Sequence, residues 1–541
     1  MTNFASTINL CSFIALCVGS IFVHSYLFTD SYIVPKWLFT VAGTLAMGLL
    51  YAFRVLFGKP LKIDIQWAAI VLVAVCFALA IYGMLQYVGL LMSPSTYKIT
   101  GSFDNPAGFA ACLCAGLPFA GFLFSKEYKL VRYIAWGFIA ISIIAIVLSH
   151  SRAGIISVAV VGCVILFQKL KRKRVWKYSL LGVLVLLLVG CYWMKKDSAD
   201  GRLLIWQCSL NMAKEAPWVG RGVGSFGAHY MDYQAAYFMQ HGQSRFSMLA
   251  DNVKEPFNEY LTILLNFGIM GMLVLSGLIG ILFYCYKKKP DKKKRIAFLA
   301  LTSIGVFALF SYPFTYPFIW IVTFFSLFII THEYINEHFF MPYRWAKGLV
   351  CISVLVCSLI GIYMLVQRVR AEVVWNKVAI NIAPKLNGED LRTYTMLESE
   401  LNDNPYFLYN YAAVLLEQKK YAESLRVALK CRQYWADYDL ELMIGENYQW
   451  LNKPNQAEKY YNSASMMCPC RFLPLYKLFQ LYEGNNDIQR AVEMAKVIND
   501  KPMKIATPAI QMIKKEVERE MRHFNTMNSG AILDRINRYS E

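Results

Sequence analysis

Apolar runs long enough to cross a bilayer alternate with short basic loops over the first two thirds of the chain. A hydrocarbon core of about 30 Å needs about 20 apolar residues in a helix. On that criterion the pattern predicts eleven spans, near 6–28, 37–57, 66–92, 105–125, 131–149, 153–168, 177–194, 259–286, 296–311, 317–332 and 346–366. The first has no basic stretch before it and no small-residue cleavage signal after it, so it reads as a retained helix. A long polar loop, 195–257, separates the seventh span from the eighth, and beyond Gln367 the chain turns polar with helical periodicity. The expected fold is all-α: a polytopic membrane domain over 1–370 that includes the 195–257 loop, then a separate helical domain over 371–541.

Composition agrees with the pattern. Of 541 residues, 57% are hydrophobic and 17% charged, against about 25% charged in soluble chains. The net charge of +19 would suit a nucleic-acid partner, but its distribution argues against one. The basic residues gather in alternate short loops: Arg54, Lys59 and Lys62; Lys126, Lys129 and Arg132; the run KLKRKRVWK; the run KKKPDKKKR; and Arg344 with Lys347. The opposite short loops hold Lys36, Lys98 and Arg152. Lysine and arginine in short loops resist translocation, so the N-terminus is expected in the cytoplasm, with the 195–257 loop and the tail outside. Most of the fourteen cysteines lie in apolar spans, where a free thiol behaves as a small hydrophobe. No metal-ligand spacing is present, and neither metal nor cofactor is expected. In the exported tail a bridge from Cys431 to Cys468 or to Cys470 is conceivable.

The tail carries an internal period. Ser424, Ala457 and Ala491 fall 33 and 34 residues apart in the segments YAESLRVALKC, QAEKYYNSASMMCP and RAVEMAKVIND, with Gly445, Tyr448 and Pro469 at matching places. This resembles the tetratricopeptide repeat, and 372–405 reads as a degenerate first copy. Such helix pairs stack into an α-solenoid whose concave face binds a peptide or protein, or they act as a stabilising cap.

Three turns facing the translocated side carry candidate chemistry. In TGSFDNPAGFA, Gly101, Asn105, Pro106 and Gly108 form a loop-to-helix start, with proline suited to the first helical turn. In LSHSRAG, Arg152 stands between two spans, where ionisable groups are costly and by default functional candidates, or it snorkels to a headgroup. In the long loop, Arg202 precedes Ile205 and Trp206, and PWVGRGVGSF supplies Arg221 with glycines at 220, 222, 224 and 227. A guanidinium presents an always-charged fork that suits a diphosphate, and glycine lets backbone approach a ligand closely. The aromatic turn SYPFTYPF, 311–318, reads as a set of interfacial anchors.

The ordered set GSFDNPAGFA, SRAG, R-x-x-I-W, P-x-x-G-x-G-x-G-x-F and NEYL-x-x-x-x-x-x-G-I-x-G resembles the O-antigen ligase superfamily, which includes ligases, polysaccharide polymerases and protein O-oligosaccharyltransferases. The resemblance implies metal-independent transfer of a glycan from an undecaprenyl diphosphate carrier to a protein or lipid acceptor at the outer face of the bacterial inner membrane. It assigns the donor diphosphate to Arg202 and matches Arg152 to the basic residue of the SRxG turn and Gly220, Gly222 and Gly224 to the loop motif; these and Arg221 are candidates for the same diphosphate. It places Asn258 and Glu259 at the start of the next helix. Ligases of this family usually carry a histidine before that asparagine, where this chain has Phe257. A neighbouring carboxylate, Glu255 or Glu259, is the expected substitute base, followed by His229, His241, Asp232 and Asp251. Two other classes stay open. A transporter would bury coupling charges in its spans, where Asn266 is an isolated candidate; a noncatalytic assembly scaffold would use the repeats to gather partners.

Overall fold

The computed structural model describes residues 2–56, 64–124, 128–170, 174–242, 244–338, 344–380 and 388–539. Lys59, Lys62, Lys126 and the basic run at 171–173 lie outside the described residues. Within them all regular structure is helical, and the chain divides into two compact units. In order, the helices are α1 (Thr2–Phe22), α2 (Val34–Leu56), α3 (Ile65–Tyr87), α4 (Pro106–Gly116), α5 (Ala120–Leu123), α6 (Lys129–Leu148), α7 (Arg152–Lys169) and α8 (Arg174–Met194). Then come α9 (Lys196–Glu215), α10 (Ser225–His241), α11 (Glu259–Lys288), α12 (Lys292–Ala308), α13 (Pro317–His338) and α14 (Arg344–Ile380). The tail holds α15 (Gly388–Leu397), α16 (Pro405–Glu417), α17 (Tyr421–Arg432), α18 (Tyr438–Trp450), α19 (Pro454–Met467), α20 (Leu473–Gly484), α21 (Ile488–Asp500) and α22 (Pro508–Tyr539).

The first unit comprises Met1–Lys195, Phe257–Ile263 and Ile269–Leu386. Among the described residues nine helical segments are long and apolar enough to cross a membrane, which makes this a multi-pass membrane protein. Each of the eleven predicted runs falls on a helix, but two fall short of that standard. The 6–28 run stops at Phe22, because Asp30 caps a turn by accepting the N–H groups of Tyr32 and Ile33. The described apolar stretch of α1 is Leu10–Phe22, and α12 is 17 residues long with a first turn of lysine and arginine. Pro118 breaks the fourth run into α4, a 3-10 turn and α5, since its ring removes a donor and crowds the preceding turn. Lys36 is not a loop charge. It is fully buried in α2, and its ammonium donates to the carbonyls of Val23, Tyr32 and Ser102 at 3.0, 2.8 and 2.8 Å, one for each of its three donors.

The second unit comprises Lys196–Pro256, Leu264–Gly268 and Asn387–Glu541. Its tail part is built from three helix hairpins, α16 with α17, α18 with α19 and α20 with α21. The period seen in sequence recurs in the backbone: Lys419, Asn452 and Asn486 take left-handed conformations at φ 60°, 55° and 56°. In each hairpin the next N–H reaches back five residues, from Lys420 to Leu415, Lys453 to Tyr448 and Asp487 to Tyr482. That is the wrapped C-terminus which satisfies orphan helix carbonyls. Ser424, Ala457 and Ala491 are fully buried, where larger side chains would separate the helices. The 372–405 stretch differs: its first residues, to Ile380, continue α14.

Loop and tail pack against each other inside this unit. Arg432 of α17 pairs with Asp232 of α10 and with the buried Glu441 of α18. The Ala436 N–H donates to the Gly227 carbonyl at 2.8 Å. The Gln234 amide donates to the Met467 and Asp251 carbonyls at 2.6 and 3.2 Å. The conceivable disulfide is not formed. Cys431, Cys468 and Cys470 are buried free thiols, with the Cys431 and Cys470 sulfurs donating to the Pro405 and Ala250 carbonyls at 3.2 and 3.3 Å.

Candidate functional site

In the second unit the glycine-rich turn is built against a broken helix. Gly268 sits at φ 62°, ψ −158° and interrupts α11, so the carbonyls of Leu265 and Asn266 lose the partners four residues on that a continuous helix would give them. The N–H groups of Arg221 and Gly222 take their place, at 2.9 and 3.0 Å. The fit demands glycine on both sides. A Cβ on Gly220 would stand 2.4 Å from the Asn266 carbonyl carbon, and one on Gly268 would stand 2.4 Å from that of Trp218. Asn266, in sequence a stray polar residue in a span, accepts from the Ser225 hydroxyl at 2.9 Å and is buried.

This changes the reading of the turn. Close approach by Gly220 serves the backbone of α11, and two N–H groups of the turn are already engaged there. Gly222 and Gly224, both at positive φ, have open space where a Cβ would stand. The Arg221 guanidinium donates to Glu215 at 2.5 Å and to the Tyr233 hydroxyl at 2.7 Å, and Tyr233 donates to the same carboxylate oxygen at 2.5 Å. Burial, then the bond to Glu215, pushes the Tyr233 phenol up to about 12. Arg221 therefore pins the turn to its flanking helices. Arg202 lies half-buried on α9, one turn before Trp206, whose indole donates to the Pro256 carbonyl at 3.0 Å. Glu255 adjoins that carbonyl and is half-buried.

Of the reserve bases, Asp232 and Asp251 are held by Arg432 and Arg471. His241 stacks on Tyr237, its Nδ1 2.8 Å from that residue's carbonyl oxygen. His229 is half-buried, and burial, then the nearby Arg221 charge, holds its imidazole below the usual value.

In the first unit a second constellation forms around the 311–316 turn. Asn258 caps α11 by accepting the N–H groups of Tyr260 and Leu261 at 3.0 and 3.2 Å. Glu259, the first helical residue, accepts the Phe314 N–H at 3.2 Å. Phe257, left-handed at φ 54°, sets its ring 5.5 Å from that of Tyr312. On the other side of the turn the Tyr316 hydroxyl donates at 3.1 Å to Asn105, which also caps α4 through the N–H groups of Ala107 and Gly108. Gly108 is required there, since a Cβ would stand 2.5 Å from the Tyr316 ring. The turn is thus no row of interfacial anchors: Tyr316 is 1% exposed and Phe318 fully buried. It ties two helix starts, far apart in sequence, into one polar patch.

Asp104 belongs to this patch and sequence reasoning passed over it. Its Oδ2 accepts from the Asn105 amide at 3.1 Å, while its buried Oδ1 has no hydrogen-bond partner among the described residues. Burial raises its carboxyl above the ordinary range. An acidic residue beside a capping asparagine was the available signal. Arg152 opens α7, and its guanidinium donates to the Lys195 carbonyl at 3.1 Å. The preceding His150 is exposed and left-handed at φ 54°.

Residues 137–276 match the O-antigen ligase family. The match runs from α6 into α11 and takes in Arg152, Arg202, the glycine turn, Glu255, Asn258 and Glu259; Asp104, Asn105 and the helix hairpins lie outside it. No curated protein matches the chain. The O-antigen ligase match indicates a membrane glycosyltransferase of the ligase or polymerase kind, and with it a lipid-linked glycan donor in general.

Proposed function

We propose that the protein transfers a glycan from an undecaprenyl diphosphate carrier to an acceptor hydroxyl at the outer face of the bacterial inner membrane, without a metal. The match over 137–276 carries this reading. In the reaction the bond between the sugar's anomeric carbon and the diphosphate oxygen breaks, and that oxygen keeps the electron pair. The acceptor oxygen bonds to the same carbon and loses its proton to a base. Charge on the leaving diphosphate is the main electrostatic cost, and fixed guanidinium donors reduce it. Arg202 takes that role, with Arg152 as second cation; Arg221, engaged by Glu215 and Tyr233, supports the turn. Glu259 is the favoured base over Glu255: it holds one backbone N–H, belongs to the patch that includes Asp104, Asn105 and Tyr316, and keeps a carboxylate lone pair for the acceptor. A protein acceptor suits the tail if its hairpins work as tetratricopeptide repeats.

The test uses purified full-length protein with undecaprenyl diphosphate glycan and candidate protein, lipid and glycan acceptors. Arg202→Ala should abolish transfer and Arg202→Lys impair it, since the ammonium keeps the charge and loses the fork. Glu259→Gln should lower the rate by about 10² without weakening donor binding. Full activity in Arg202→Ala would refute the donor assignment, and unchanged rates in Glu259→Gln, Glu255→Gln, His229→Ala and His241→Ala would show that no side-chain base is needed. A wild type that transfers to no acceptor would favour a noncatalytic scaffold, a reading to which Phe257 and the close packing of loop on tail lend weight.

A further inference from the structure

A groove in the membrane unit, at the end of α7 remote from Arg152, has the dimensions and charge of a lipid site. It encloses about 500 Å³ between α5, α6, α7 and α12. Two serines set its inner limit: Ser157 and Ser303 hydroxyls lie 2.8 Å apart, and Ser303 donates to the Cys114 carbonyl at 2.8 Å. These bonds pin α7, α12 and α4 together. Beyond the pin Pro118 has broken the fourth span, and the small residues Ala120, Gly121 and Gly162 stand in the lining beside larger apolar ones such as Ile139, Ile165 and Leu299.

The groove runs from Val158 to Lys169 along α7, about 16 Å at 1.5 Å per residue. That is the depth of one leaflet, about half of a 30 Å hydrocarbon core. Its body is apolar, and its mouth holds Lys169, Lys292 and Arg295. Trp136 lines the same mouth, packed edge-on against Phe124 at 5.1 Å, as aromatic side chains do at headgroup level. Two nearby lysines are paired, Lys294 with Glu333 and Lys289 with Glu337. Lys169, Lys292 and Arg295 have no acidic partner among the described residues, and the adjacent Asp291 carboxylate caps α12.

We infer that this groove binds an anionic phospholipid, one acyl chain lying against Gly162 and its headgroup phosphate held by Lys169, Lys292 and Arg295. Basic pockets between membrane helices select acidic headgroups in this way. The site is independent of glycan transfer, since α7 carries Arg152 at one end and Lys169 at the other.

Native mass spectrometry of the purified full chain in detergent, titrated with phosphatidylglycerol or phosphatidylethanolamine, tests the assignment. Wild type should retain phosphatidylglycerol at least tenfold more tightly. Lys292→Gln with Arg295→Gln should erase most of that preference, about fivefold per charge removed. Gly162→Phe should lose both lipids with unchanged melting in lipid-free detergent, because a Cβ at Gly162 meets nothing within 4 Å and the ring projects into the groove. Glycerol phosphate at equal concentration should displace nothing. Equal retention of the two lipids by wild type, an unaltered preference in the double variant, or displacement by glycerol phosphate would each overturn the proposal.

Discussion

Replacing Gly220 with alanine should release the glycine-rich turn from α11. Three costs add. A left-handed alanine costs about 1 kcal/mol. Its Cβ would stand 2.4 Å from the Asn266 carbonyl carbon, backbone that cannot rotate aside, so the turn must retreat. Retreat stretches the bonds from Arg221 and Gly222 to Leu265 and Asn266, each worth about 1 kcal/mol net. The expected loss is about 3–5 kcal/mol, a large part of the 5–15 that a domain has in total. Gly268→Ala meets the Trp218 carbonyl from the other side at the same 2.4 Å and should cost as much. Gly222→Ala is the control: it has the same left-handed strain at φ 89° but open space around the Cβ, so about 1 kcal/mol is expected. Thermal unfolding in detergent gives the ranking. Hydrogen exchange of the Arg221 and Gly222 amides gives the cause, with fast exchange in the Gly220 and Gly268 variants and protection in the Gly222 variant. If the three variants melt together, the interlocked backbone does not hold the turn.

Two further outcomes concern the second unit. Arg432→Met leaves Glu441, 2% exposed, as an uncompensated buried charge, costing about 3–5 kcal/mol. Burial already raises the Glu441 carboxyl and losing Arg432 raises it further, so its protonated form favours the fold. The deficit should therefore be full above the folded pKa and shrink as pH falls toward the unfolded value of about 4.3, a trend that melting curves across pH would reveal or exclude. Gly445→Ala puts a Cβ 2.5 Å from the Tyr461 ring and should cost about 1–3 kcal/mol by overpacking, measurable as a lower melting temperature, whereas Gly484→Ala, with nothing nearby, should leave it unchanged.

Most of the membrane architecture was legible because hydrophobic length is a local property: each predicted run falls on a helix, and Asn105, Ser151 and Asn258 cap α4, α7 and α11, the first and last at helix starts expected from sequence. The tail's period was legible too, since Ser424, Ala457 and Ala491 recur at fixed spacing. What escaped was non-local. Asn266 looked like a stray polar residue until Ser225 supplied its partner. Asp104 looked like loop until Tyr316, two hundred residues away, closed over Asn105. The aromatic turn read as a membrane anchor because composition cannot tell a tyrosine buried against a helix start from one resting among headgroups. Nor does any periodicity state that Asp232 awaits Arg432.

That last pairing orders events in time. Synthesis proceeds at about 5–20 residues per second, so the stretch from Asp232 to Met467 takes about 10–50 s to make. Through that interval Asp232 and Gln234 of α10 are without Arg432 and the Met467 carbonyl. The loop's final structure is thus set by segments made well after it. A nascent chain halted before α17 would leave α10 without α19, a helix packed against it.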